Sequence, residues 1–138
     1  MKDSIHASWK GDLSFEAEVD GHRIVMDARP EAGGQGRGPR PKPLMMVSLA
    51  GCTGMDVASL LKKMRVEVES FTVRVEGELT ETHPKHFSAM HVIYEFKGKD
   101  LPMDKLKRAV ELSQENYCGV SATYKKAMTL TYEIVVTG

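Results

Sequence analysis

Three observations predict an α+β fold. One long apolar stretch, Leu44–Arg65, reads as a helix. Several segments on either side of it alternate apolar and polar residues with the period of strands. A second, amphipathic segment runs from Pro102 to Cys118 with apolar spacings of three and four. The order is strands, long helix, hairpin, helix and final strand, with no internal repeat, so strands and helices do not alternate as in a parallel α/β chain. With 138 residues the chain is expected to form one domain, 1–138, with a modest core.

The first elements form a small antiparallel meander: Ile5–Trp9, Leu13–Val19 and Arg23–Met26. Lys10-Gly11-Asp12 and Asp20-Gly21 supply the glycines that tight turns require. Leu13, Phe15, Ala17 and Val19 make one apolar face, with Ser14, Glu16 and Glu18 opposite. Residues 30–43 contain four glycines and four prolines and read as a flexible connector that carries Arg29, Arg37 and Arg40 toward the start of the long helix. It is a poor phosphate loop, because no Gly-Lys-Ser/Thr follows and its prolines remove the amides a phosphate would use.

The long helix is apolar around most of its circumference, which predicts a buried central helix covered by protein. Cys52, Thr53, Gly54 and Asp56 interrupt it and Lys62, Lys63 and Arg65 close it, so it is not expected to span a bilayer. Gly51 and Gly54 flank Cys52, and each glycine costs roughly 1 kcal/mol in a helix, so a close neighbour to the backbone is expected there. Val66–Thr80 alternates, with a slip of phase near Ser70. Thr82-His83-Pro84-Lys85 is the turn, and His86–Lys97 returns with Ser88, Met90, Val92, Tyr94 and Phe96 on one face. The second helix opens at Pro102 and presents Met103, Leu106, Val110, Ser113 and Tyr117 as its stripe. Val120–Ala127 is expected to add a helical turn or two before the strand Thr129–Val136.

Lysine plus arginine and aspartate plus glutamate number 19 each, giving zero formal charge. That balance argues against a nucleic-acid partner and, with so large an apolar helix, favours an oligomer, most simply a dimer. The N-terminus has no apolar signal region, so a cytoplasmic protein is expected. The two cysteines, Cys52 and Cys118, are too few for a disulfide scaffold. They are either inert thiols, as buried cysteines commonly are, or a redox pair. Cys118 follows a helix break, where the amides of the next turn favour a thiolate. His83 and His86 lie in a polar turn without a third ligand and read as solvated. No metal or organic cofactor is expected.

The segments Gly51-Cys52-Thr53-Gly54-Met55-Asp56 and Tyr117-Cys118-Gly119-Val120-Ser121, the turn Trp9-Lys10-Gly11-Asp12 and the element order together resemble the osmotically inducible protein C and organic hydroperoxide resistance family (OsmC/Ohr). The resemblance covers nearly the whole chain. It implies an OsmC-like fold of antiparallel sheets around the central helix, in an intertwined homodimer. It also implies thiol-dependent reduction of organic hydroperoxides in oxidative stress defence, with Cys52 as the attacking cysteine, Cys118 as the resolving one and a dithiol reductant as partner. The family's arginine corresponds to Arg29, with Arg37 and Arg40 as competitors. Its glutamate position falls on Lys42, a departure that leaves Glu31 as the substitute carboxylate. An alternative function is a non-catalytic dimer that binds a small apolar or electrophilic ligand in its interface cleft. A third is a thiol enzyme acting on another electrophile through Cys52 alone.

Overall fold

The structure, a computed structural model, describes all residues from Met1 to Gly138. The chain divides into two compact units, Met1–Met45 and Met46–Gly138. The elements are an α+β set, as the patterning predicts.

In the first unit β1 (His6–Trp9), β2 (Phe15–Val19) and β3 (His22–Met26) form an antiparallel sheet in that order. Gly11 and Gly21 both adopt positive φ at the turns, as the meander requires. The glycine- and proline-rich segment is ordered rather than a flexible connector. It starts with a 3-10 turn, Pro30–Ala32, and wraps around the buried Asp27. The Asp27 carboxylate accepts backbone N–H bonds from Ala28 at 2.7 Å, Gln35 at 3.3 Å and Arg37 at 3.1 Å. A Cβ on Gly34 would run into the Ala28 carbonyl, and one on Gly38 into the Val25 carbonyl. The glycines therefore serve close backbone packing around one carboxylate.

α1 spans Pro41–Lys63, three residues earlier than its apolar pattern begins. Pro41 and Pro43 fit its first turn because the N–H groups there have no partner within the helix. Only one stripe of it is buried: Leu49, Thr53, Val57 and Leu61. The expected all-round burial is not found within the chain, since Val47 is 62% and Met55 75% exposed. The close neighbour expected at the two glycines is found at only one of them. A Cβ on Gly51 would meet nothing within 4 Å, whereas one on Gly54 would lie 3.5 Å from Val73. By length and composition alone α1 would suffice to cross a membrane.

In the second unit β4 (Ser70–Leu79), β5 (Phe87–Lys97) and β6 (Thr129–Thr137) form a sheet with β5 in the middle. The phase slip near Ser70 marks the start of β4, while its irregularity lies at Glu78/Leu79. β4 and β5 pair antiparallel, but β5 and β6 run parallel, so this sheet is mixed, in contrast to the antiparallel sheets expected. The intervening helices cause the difference, because they form a crossover that returns the chain to the end of the sheet where β5 began. Those helices are α2 (Met103–Leu112), a π-helical turn (Ser113–Tyr117) and α3 (Gly119–Lys125).

The core gathers Leu49, Val57, Met90, Tyr94, Leu106 and Val110 with their neighbours. Phe71 stacks on Phe96 with ring centres 4.7 Å apart, and Tyr132 meets Tyr94 edge-on at 6.2 Å. These contacts hold the Tyr94 ring, and with it a hydroxyl group, in the middle of the sheet.

Candidate active site

Cys52 and Cys118 are far apart in the chain, and both belong to the core of the second unit, Cys118 within it and Cys52 packed against it. Both are reduced; Cys52 is half-buried and Cys118 is 3% exposed. Helix α1 supplies Cys52 from the turn that carries Thr53 inward. Cys118 stands at the junction of the π turn and α3, with extended backbone, and caps α3 by accepting the Ser121 N–H on its sulfur at 3.3 Å. Its own N–H bonds back to the Ser113 carbonyl at 2.8 Å. The predicted placement of Cys118 against the amides of the following turn is thus observed.

Cys52 lies beside the same turn, whose Val120 amide favours its thiolate. Burial nevertheless pushes the Cys52 thiol above its ordinary pKa. A hydrogen bond to Cys118, the charge that Cys118 would carry and the Asp56 carboxylate add to the rise, and the Val120 amide opposes it.

Beside the sulfurs runs a buried chain of hydrogen bonds. Thr53 Oγ1 lies 2.6 Å from the Tyr94 hydroxyl and 2.7 Å from Ser113 Oγ. Ser113 donates to Asp56 Oδ2 at 2.9 Å, and Gln114 Nε2 donates to the Tyr94 hydroxyl at 2.7 Å. Burial raises the Tyr94 pKa above its usual value, which keeps that hydroxyl protonated. Lys125 closes the arrangement by donating to the Gln114 backbone carbonyl at 2.6 Å. Two buried polar atoms have no hydrogen-bond partner, Gln114 Oε1 and Ser121 Oγ.

Ahead of Cys118, Ser113 is buried, whereas Glu115 and Asn116 are exposed. Sequence reasoning gives no site role to Thr53, Asp56, Tyr94 or Gln114. The π turn explains Gln114: its wider ladder brings Gln114 inward beside Ser113 and leaves Tyr117, expected in the stripe, 61% exposed. The signal within reach is a polar residue at core spacing, Thr53 four positions from both Leu49 and Val57.

Arg29 and Glu31 belong to the first unit. Arg29 caps the 3-10 turn and Glu31 lies within it. Arg29, Arg40, Pro41 and Lys42 line a cleft of about 670 Å³ in that unit, floored by Leu13 and Phe15. Arg37 faces Asp12 at 3.7 Å on the surface. His91 bonds Thr131 and Glu133 across the sheet.

A reduced cysteine pair, one sulfur reachable and one buried, set between a central helix and a capped short helix, defines a dithiol protein of α+β fold. Residues 34–133 match the OsmC-like protein family, and the chain belongs to that family. Protein YhfA of Escherichia coli strain K12 is 34% identical over 131 residues, covering 92% of this chain and 94% of YhfA. A hypothetical protein from Aquifex aeolicus VF5 superposes with a TM-score of 0.84 at 28% identity, covering 100% of this chain and 99% of the other. An organic hydroperoxide resistance protein OsmC from Legionella pneumophila has the same fold, with a TM-score of 0.69 at 18% identity over 99% of this chain and 98% of its own.

Proposed function

We propose that this protein serves in peroxide stress defence by reducing organic hydroperoxides with its two cysteines. The observation that carries this reading is the packing of the half-buried Cys52 against the core cluster that contains the buried Cys118. The Cys52 thiolate attacks the distal oxygen of the hydroperoxide. A sulfur–oxygen bond forms, the oxygen–oxygen bond breaks, and the alkoxide leaves and takes a proton to become the alcohol. Cys52 is then a sulfenic acid. The Cys118 thiolate attacks its sulfur, the hydroxyl departs as water after protonation, and a disulfide remains for a dithiol reductant to reopen. The Val120 and Ser121 amides support this reading by receiving negative charge at the two sulfurs.

The family resemblance assigns the roles of cation and orienting carboxylate to Arg29 and Glu31. The homodimer is supported by the apolar outer face of α1, where Val47 and Met55 stand exposed. The proposed setting is the cytoplasm, where a reducing pool returns the pair to its dithiol state. A second reading is favoured by the raised Cys52 pKa and by Lys42 at the family's glutamate position. Under it the thiols stay reduced and the dimer cleft binds a small apolar or electrophilic ligand.

Titration of the purified protein with cumene hydroperoxide, followed by mass spectrometry, decides between them. Rapid loss of both thiols to a Cys52–Cys118 disulfide supports the peroxidase, and Cys118→Ser then stops after one oxidation per subunit. Thiols that survive a modest excess of the peroxide support the binding protein.

A further inference from the structure

Ser113 ties together the two elements that carry the cysteines. It stands where α2 gives way to the π turn, is fully buried, and uses each of its polar groups. Its N–H bonds back to the Ala109 and Val110 carbonyls of α2. Its carbonyl accepts the Cys118 N–H at 2.8 Å, a bond of the wide π type. Its hydroxyl reaches across to α1, 2.7 Å from Thr53 Oγ1 and 2.9 Å from Asp56 Oδ2. A carboxylate only accepts, so Ser113 donates to Asp56 and accepts from Thr53.

Thr53 and Asp56 are neighbours on the helix surface, on the turn of α1 that begins with Cys52. The Ser113 hydroxyl is therefore held at both ends of that turn, while the carbonyl of the same residue holds the backbone of Cys118. Apolar packing between helical elements has no direction and tolerates sliding. A hydrogen bond does not, because it weakens steeply once its length or angle leaves the preferred range. Ser113 and Thr53 are both 0% exposed, so water does not compete for the bond between them.

A disulfide makes a narrow demand on placement, with Cβ atoms about 3.5–4.5 Å apart. We propose that Ser113 is a positioning residue for the resolving step, holding the Cys118 backbone in register with the Cys52 turn so that Cys118 meets an oxidised Cys52 in one geometry. This inference rests on the two-cysteine reading. Asp56 serves it as a hydrogen-bond acceptor, a part that a neutral side-chain amide can also fill.

The test isolates the placement of Cys118 with oxidised and reduced glutathione. Oxidised glutathione forms a mixed disulfide on Cys52 and releases one glutathione thiol. The Cys118 thiolate then attacks the Cys52 sulfur. The internal disulfide forms, the bond to glutathione breaks, and the departing glutathione thiolate takes up the proton that Cys118 lost. At a fixed concentration of reduced glutathione, the ratio of internal to mixed disulfide measures how well Cys118 is placed, because the reactivity of Cys52 cancels from it. Mass spectrometry after acid quenching reads both species.

In Ser113→Ala the ratio is expected to fall about tenfold, the equivalent of one hydrogen bond. Asp56→Ala is expected to match it, whereas Asp56→Asn, which keeps an acceptor oxygen, stays within about twofold of the wild type. An unchanged ratio in Ser113→Ala and Asp56→Ala, with an internal disulfide in the wild type, overturns the inference and leaves the two-cysteine reading standing. A fall in Asp56→Asn as deep as in Asp56→Ala assigns the effect to charge and also overturns the inference. A wild type that closes no internal disulfide at any glutathione ratio overturns both. If circular dichroism shows that Ser113→Ala does not fold, the two variants of Asp56, a half-exposed position, decide.

Discussion

The Thr53 hydroxyl sits 2.6 Å from that of Tyr94, tying the residue next to Cys52 to the middle strand of the sheet. Both side chains are fully buried, so the bond forms where water cannot replace it. Thr53→Val keeps the shape of the side chain and leaves the Tyr94 and Ser113 hydroxyls short of a partner. The expected loss is about 1–3 kcal/mol per stranded group, read from urea unfolding. Thr53→Ser, which keeps the oxygen, should recover most of it.

Cys52 reactivity should rise with pH well into the alkaline range. Burial first, then Cys118 and Asp56, hold its pKa above the ordinary value of 9.0, so the thiol form dominates at neutral pH. Iodoacetamide alkylation followed by mass spectrometry should give a profile for Cys52 still climbing past that pH. Asp56→Asn should move the profile to lower pH.

Asp27 makes the fold sensitive to acid. Burial pushes its carboxyl up, but the amides of Arg37, Ala28 and Gln35 and the Arg37 charge outweigh it and hold the pKa below 3.8. A carboxyl with a depressed folded-state pKa stabilises the fold above its unfolded value, and that contribution is lost as pH falls through the folded value. Circular dichroism in urea should show stability falling as pH drops below 3.8. Asp27→Asn should be less stable at neutral pH and should show a shallower acid slope.

The exposed face of α1 predicts self-association. Met55→Lys places a charge where a partner helix would pack. In sedimentation velocity the wild type should run as a dimer and the variant as a monomer. The monomer should keep its helix content, because Met55 lies outside the buried stripe.

Most of the elements are legible in the sequence because their periods are strong. Met90, Val92, Tyr94 and Phe96 alternate along β5, and all four are buried. Cys52 and Cys118 stand out as the only cysteines, but how near their sulfurs come is not legible in the sequence, because it depends on how the helices pack. Three features are hidden for separate physical reasons. The parallel pairing of β6 depends on where the intervening helices return the chain, which periodicity within β6 does not encode. The π turn shifts the inward face by a wider ladder, so a stripe drawn at 3.6 residues per turn selects Tyr117 and passes over Gln114. The loop over residues 30–43 has a composition that reads as flexible, yet its glycines permit close packing around Asp27, a long-range fact visible only once the backbone closes.

The parallel pairing of β6 with β5 also bears on how the chain is made. Translation adds about 5–20 residues per second, so residues 98 to 128 take on the order of seconds to emerge after β5 is complete. During that interval the β4–β5 hairpin exists without its third strand, and β5 has an open edge of unpaired amides and carbonyls rich in Val92, Tyr94 and Phe96. Such an edge can recruit a strand from another nascent chain. For this protein the risk of aggregation falls within synthesis, before β6 arrives, and a chaperone that shields strand edges would act in that window.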